Sequence, residues 1–276
     1  MKEFMTSYIC EMLRVADPAQ VEIEAKKKLS PATAENLRRY LSRKKKVRRI
    51  KSASFMDQFL DTSDFDIFRS GASLRIRYKG DGSNVYLQYK GRGFTHKGIL
   101  FRSEFSSGRI KGLVKEESLH DMIRFAAGGL RKIMAKFVPV PMRKVLWAHL
   151  GPAIIARVTA APVICFYRKE KYLVKTGGAY LEPSLDHISA FRINEGSFHS
   201  VSNFWEYENE IKSEGKDLAG KLERIRDLLE FDSRLAEKFP LYPEVMDKYH
   251  RVLSCFMRVH PPSRRKLRGT VPLLPF

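Results

Sequence analysis

Residues 21–26 read Val-Glu-Ile-Glu-Ala-Lys, an unbroken alternation of apolar and charged positions. A period of two predicts a strand, with Val21, Ile23 and Ala25 on one face and Glu22, Glu24 and Lys26 on the other. Ser30-Pro31 then supplies an N-cap and a first-turn proline, predicting a helix to about Lys45. A second strand is expected over 50–61, ended by the turn-forming Asp61-Thr62-Ser63-Asp64. One helical turn, 66–70, stops at Gly71. Strands at 72–78 and 85–90 follow, joined by the hairpin signal Gly80-Asp81-Gly82. Gly91 to Gly98 reads as a loop, and 99–106 as another alternating strand.

From 113 to about 149 the apolar spacing becomes helical, interrupted by Pro139 and Pro141. Strands are expected again at 162–168, 171–176, 179–187 and 190–193, with turns at Gly177-Gly178 and Asn194-Glu195-Gly196. Residues 202–212 form a long alternating strand, and the chain from 216 is mostly helical with a break at Pro240 and Pro243. The expected organisation is an N-terminal extension (1–19), one strand-rich domain (20–256) with a helical insert at about 113–150, and a basic, Pro-containing tail (257–276). No repeat of solenoid period is present.

Composition narrows the class. An apolar share of 43% with 30% charged residues is that of a globular chain. Fifty-one Lys and Arg against thirty-one Asp and Glu leave a net charge of +20, which attracts polyanions. Cys10, Cys165 and Cys255 lie far apart and outside any CxxC, and the His residues form no HExxH, so neither a disulfide framework nor a zinc site is expected. Residues 145–166 are apolar but contain His149, Pro152, Arg157 and Pro162, which fits a buried helix end and a core strand rather than a membrane span. With no apolar leader at the N-terminus, a cytoplasmic protein is expected. The basic run Arg43-Lys44-Lys45-Lys46-Val47-Arg48-Arg49 reads as a solvated helix end or a landing strip for a polyanion.

The strand faces carry more. One face after another is charged: Glu22, Glu24 and Lys26; Arg75 and Arg77; Lys90; Arg102 and Glu104; Arg168; Glu182 and Asp186; Glu206, Glu208, Glu210 and Lys212. Taken singly, each is what a half-exposed antiparallel sheet shows to water. Taken together, carboxylates cluster at both ends of the strand series and guanidiniums between them. If the sheet closes, that face becomes a polar lumen whose charges must be satisfied by one another or by a ligand. Arg suits phosphate oxygens through its planar fork. Paired carboxylates suit a hard divalent cation such as Mg²⁺ or Mn²⁺.

At this point the residues resemble the CYTH domains, the triphosphate tunnel metalloenzymes. Glu22-x-Glu24-x-Lys26 looks like their ExExK signature. Phe59-Leu60-Asp61-Thr62, Gly71-Ala72-Ser73-Leu74-Arg75-Ile76-Arg77, the strand ending at Lys90, Arg102-Ser103-Glu104, Arg168, Ser184-Leu185-Asp186 and Glu206-x-Glu208-x-Glu210-x-Lys212 fit the later strands in order. The resemblance spans roughly 20–250. It implies an α+β fold, an eight-stranded antiparallel β-barrel tunnel with helices packed outside. It implies catalytic roles for Glu22, Glu24 and Lys26, with phosphate held by Lys26, Arg75, Arg77, Lys90, Arg102, Arg168, Lys212 and Lys248. It also implies Mg²⁺ or Mn²⁺ held by Glu22, Glu24, Glu104, Asp186, Glu206, Glu208 and Glu210. Ser106 stands where many members carry a second acid after Arg-x-Glu. The helical insert and Asp64-Phe65-Asp66-Ile67-Phe68 also resemble the VTC-type polyphosphate polymerases, which lack the full ExExK opening.

Three functions follow. The first is a metal-dependent hydrolase of inorganic or organic triphosphates. The second, on the same fold, is polyphosphate polymerisation or adenylate cyclisation. The third is a non-catalytic polyphosphate- or RNA-binding module. Acids among the cations argue against a pure polyanion binder, since they repel the ligand unless a metal intervenes. No base-stacking strand motif supports RNA, so no specific nucleic-acid partner is expected. No P-loop or Rossmann glycine pattern appears.

Overall fold

The computed structural model describes residues 2–80, 84–110, 130–176, 179–194, 197–212 and 217–257. In chain order these form α1 (Lys2–Leu13), β1 (Val21–Leu29), α2 (Pro31–Arg43), β2 (Val47–Asp61), α3 (Asp66–Arg69), β3 (Ser73–Lys79), β4 (Asn84–Lys90), β5 (Phe94–His96) and β6 (Ile99–Ser106). There follow α4 (Leu130–Phe137), α5 (Val140–Arg157), β7 (Thr159–Thr176), β8 (Ala179–Asn194), β9 (Ser197–Lys212), α6 (Leu218–Glu223), α7 (Ile225–Ala236), β10 (Tyr242–Pro243) and α8 (Lys248–Met257). The expected Gly177-Gly178 turn and tail fall outside the described residues, except for Met257, which ends α8. So do parts of the other two expected hairpin turns and the start of the helical insert.

The sheet runs β1–β9–β8–β7–β2–β3–β4–β6, and β6 pairs back onto β1 to close a ring of eight antiparallel strands. The closing register puts Glu22 opposite Arg102. Along the lumen the strands turn polar side chains inward and apolar ones out, so the main core lies between the ring and its helices. Val21, Ile23, Leu74, Ile76 and Leu87 share one buried cluster with Ile133 and Met134 of α4 and Leu146 and Leu150 of α5. On the other side Tyr172, Leu185 and Tyr207 pack against Leu37 and Leu41 of α2 and Leu235 of α7. The N-terminal extension is part of this packing, because α1 buries Ile9 and Leu13 in the first cluster.

α2 starts as its sequence predicts, the Ser30 hydroxyl accepting from the Thr33 amide at 3.0 Å with Pro31 in the first turn. Where the pattern suggested pairs of short strands, β7 and β8 are each continuous, 18 and 16 residues long. β2 begins three residues early, and the 91–98 loop contains the short β5. Residues 145–166 divide between α5 and β7, as expected. Among the described residues no helix is long and apolar enough to cross a membrane.

One end of the ring is filled. Phe59, Val163, Cys165, Ile188 and Phe204 point inward there and meet Tyr249, Val252 and Leu253 of α8. Asp61 anchors this plug: its carboxylate accepts from the amides of Ile67 and Phe68 at the start of α3 and from the Tyr249 hydroxyl, at 2.9, 2.9 and 2.8 Å. Gly71, at φ +81°, ends α3 and turns the chain into β3 with Arg75 and Arg77 facing inward.

Candidate functional site

The lumen of the ring is a cavity of about 210 Å³ whose wall presents nine cationic side chains against five carboxylates. Phe59 and Tyr249, from the apolar plug, form its floor. The opposite end is its mouth: Lys212 and Lys171 there are 42% and 30% exposed, while Lys26 and Lys248 at depth are 2% and 7% exposed.

β1 delivers Glu22, Glu24 and Lys26 to the lumen, as its alternation predicts. Glu22 accepts from Lys90 at 2.8 and 2.9 Å and from the Arg102 Nε at 2.6 Å. Burial opposes its charge, but Arg102 and Lys90 outweigh burial and hold its carboxyl well below the ordinary range. Glu24 accepts from Arg102 Nη2 at 2.6 Å and lies 3.4 Å from Lys26. Burial works against the Lys26 ammonium, yet Glu24 and Glu208 raise its pKa, so it stays charged at neutral pH.

Arg75 and Arg77 of β3 converge on Asp57 of β2. Arg75 donates Nη1 at 2.8 Å, and Arg77 donates Nε and Nη2 at 2.8 and 2.9 Å. Against the upward push of burial, the two guanidiniums lower Asp57 to about 2. Arg77 also donates to the Tyr167 hydroxyl.

The acids divide into two groups with different occupants. Oxygens of Glu22, Glu104 and Glu210, from three strands, lie within 4.8 Å of one another. Glu104 is reached by Lys90 at 3.1 Å and Glu210 by Lys212. Burial, together with Glu22 and Glu104 nearby, pushes Glu210 up to about 7 despite Lys212. The second group, Asp186, Glu206 and Glu208, already surrounds an ammonium: Lys248 of α8 lies 2.9 Å from both Asp186 and Glu208 and also bonds Glu206. Lys169 adds a contact to Glu208 at 2.6 Å. Burial disfavours the Lys248 charge, but these three acids raise its pKa well above the ordinary lysine value.

Most sequence-predicted residues therefore meet in the lumen, with three corrections. Arg168 does not: it lies on the outer face of β7, 62% exposed, with its Nε donating to Ser52. β7 is continuous, so Tyr167, Lys169 and Lys171 share the inward phase, and Lys169 stands where Arg168 was expected. Residues 162–167 are apolar at both phases because that stretch crosses the plug, so polarity did not reveal which face is inward. Second, Glu24 belongs to neither group of three acids; its partners are Arg102 and Lys26. Third, Asp186, Glu206 and Glu208 come together in one group, but here they surround the ammoniums of Lys248 and Lys169. Asp57, Gln88, Tyr167, Lys169, Lys171 and Asp247 also line or support the lumen and were not anticipated. Asp57 was legible only as an acid in phase with Phe55 and Phe59.

The family model for the CYTH domain matches residues 20–239. The chain belongs to the CYTH domain family. A putative adenylyl cyclase from Hippeastrum, described as having a dominant triphosphatase activity, shares this CYTH fold with a TM-score of 0.56 and 20% identity, over 84% of this chain and 95% of that one. A putative adenylate cyclase from Bacillus halodurans matches with a TM-score of 0.48 and 17% identity, over 84% and 97% of the two chains. The Mimivirus capping enzyme triphosphatase matches at 0.42 and 13%, over 85% and 98%. No curated protein matches the sequence.

Proposed function

We propose that this CYTH domain is a metal-dependent triphosphatase that hydrolyses the terminal phosphoanhydride of a triphosphate held in the ring lumen. The observation that carries the reading is one blind-ended cavity holding both a cationic grip and a carboxylate trio. Lys26, Arg75, Arg77, Lys90 and Arg102 line it and supply charge-assisted donors to phosphate oxygens. Their counter-acids Asp57, Glu24 and Glu22 keep them charged and fixed before the substrate arrives, so little reorganisation is left for the reaction.

The trio fits a divalent cation. Glu22, Glu104 and Glu210 offer hard oxygens from three strands within 4.8 Å of one another, and burial together with the two neighbouring acids raises Glu210 to about 7, so a cation placed there would favour its charged form. A bound Mg²⁺ or Mn²⁺ would supply charge neutralisation and orientation to the phosphates and the attacking water. Lys26 stays protonated, so it acts as an electrostatic clamp on the phosphates and takes no proton from water. Hydrolysis joins the water oxygen to the terminal phosphorus, breaks one P–O–P bond and releases orthophosphate and diphosphate.

The plug favours hydrolysis over polymerisation. α8 fills one end, so substrate and product share one mouth, whereas an elongating chain needs an exit. The similarity to the Hippeastrum protein, whose dominant activity is triphosphatase, points the same way. Phosphate release from tripolyphosphate, ATP and thiamine triphosphate with Mg²⁺ or Mn²⁺ tests the reading. Turnover of at least one is expected; release from none of them, with binding intact, would leave a binding module.

A further inference from the structure

Towards its mouth the lumen opens into a second cavity of about 240 Å³, and the two share Phe55, Arg77, Gln88, Lys169 and Lys171. The character of the wall changes across that junction. Glu22, Glu104, Glu208, Glu210 and Asp247 face the lumen. Among the described residues the vestibule has no carboxylate in its wall, and its charges are Lys51, Arg77, Lys79, Lys169 and Lys171. Three of these are already paired, with Asp57, Glu208 and Glu182. Lys51 of β2 and Lys79 of β3 instead sit against each other at the rim, and among the described residues no acid lies within ion-pair reach of either. The hydrogen bond and charge of Lys79 lower the Lys51 pKa, the direction expected of two ammoniums held together.

Two adjacent ammoniums without an acid repel, and a bound anion relieves that repulsion. Lysine is a flexible point charge, suited to a phosphate chain that carries charge at every unit and no fixed donor geometry. A triphosphate seated among Arg75, Arg77 and Lys90 can continue only toward the mouth, because Phe59 and Tyr249 close the floor. Its continuation therefore passes Lys171 and meets Lys51 and Lys79. A neutral organic continuation makes no use of this charge.

We infer that Lys51 and Lys79 are specificity-determining residues, which hold the fourth and later phosphates of a linear polyphosphate whose terminal units occupy the lumen. The inference rests on the lumen being a triphosphate site and adds that the preferred substrate is longer than three phosphates.

Calorimetric titration of the full chain in Mg²⁺ with tripolyphosphate, ATP and long-chain polyphosphate tests it. The wild-type protein should bind long-chain polyphosphate about tenfold or more tighter per chain end than tripolyphosphate. Lys51→Ala/Lys79→Ala should remove most of that margin and leave tripolyphosphate affinity within about twofold, since two charge-assisted contacts are lost only for the longer ligand. The control Lys45→Ala/Lys46→Ala, on the basic run, should preserve the margin. The inference is overturned by a wild type without the margin, by equal losses for both phosphates, by ATP matching long-chain polyphosphate, or by the control abolishing the margin. Failure of tripolyphosphate itself to bind overturns the reading of the lumen, and the inference with it.

Discussion

Asp57 shows how single residues set the charge of the lumen. It is fully buried, and the two guanidiniums from β3 are the main compensation for its charge. Asp57→Ala leaves Arg75 and Arg77 without their counter-ion in a partly desolvated wall and should destabilise the fold by about 3–5 kcal/mol, read by denaturant unfolding. The pH sign follows from the depressed pKa. The stabilisation from Asp57 is complete above its unfolded value of about 3.9 and is lost as the pH falls through about 2. Acid unfolding of wild type should therefore be steeper in that window than that of Asp57→Ala. Arg75→Ala should weaken tripolyphosphate binding by about 2–5 kcal/mol, the cost of truncating one partner of a buried charged contact. Lys45→Ala, outside the ring, should change it little; equal losses at the two positions would mean general surface electrostatics. At this scale the sequence was readable wherever one strand face was wholly charged, as in β1. It failed at Arg168, where both phases of β7 are apolar through the plug and only the structure shows Lys169 facing inward.

Among the elements, α8 has the most consequence, since it turns a tunnel into a blind cavity. Tyr249 stacks on Phe59 with centroids 4.6 Å apart and donates to Asp61, so Tyr249→Phe should cost about 1–3 kcal/mol by leaving that carboxylate under-satisfied. His250 docks the same helix: Nδ1 bonds Asp247 at 2.7 Å and Nε2 donates to the Phe68 carbonyl at 3.0 Å. Burial lowers its pKa, but Asp247 and the Phe68 carbonyl outweigh burial and raise it above 6.5. A group raised on folding stabilises fully below its unfolded value and loses that contribution as pH rises through the folded one. Hydrogen exchange in α8 should accordingly increase above about pH 6.5 in wild type and become pH-independent in that range in His250→Ala, apart from the intrinsic exchange rate. The elements themselves were largely legible, because alternation marks strands and Ser30-Pro31 marks a helix start. Continuity was not. Charged residues at 168–171 and at 186–187 looked like strand ends, but they are the points where a long strand passes from the apolar plug into the charged lumen.

For the whole molecule, closure of the ring is what gives the charge pattern its meaning. The pairing of β6 with β1 brings Glu104 next to Glu22, and β9 adds Glu210, so residues nearly 190 positions apart form one acid group. The sequence predicted the inward charges and, through the resemblance, the closure. It did not show that the acids divide into one group around Lys248 and Lys169 and another contacted by Lys90, Arg102 and Lys212, because α8 is remote in sequence from the strands it enters. Ser106 lines the vestibule, and Glu22, Glu104 and Glu210 come together without it. Phosphate release from tripolyphosphate, followed across a Mg²⁺ titration in wild type and in Glu104→Gln, decides whether the acid trio runs a metal-dependent hydrolysis. Wild-type turnover should vanish in EDTA, and Glu104→Gln should keep its fold but need far more metal for less turnover. Turnover that persists in EDTA, or a metal titration unchanged by Glu104→Gln, would contradict it.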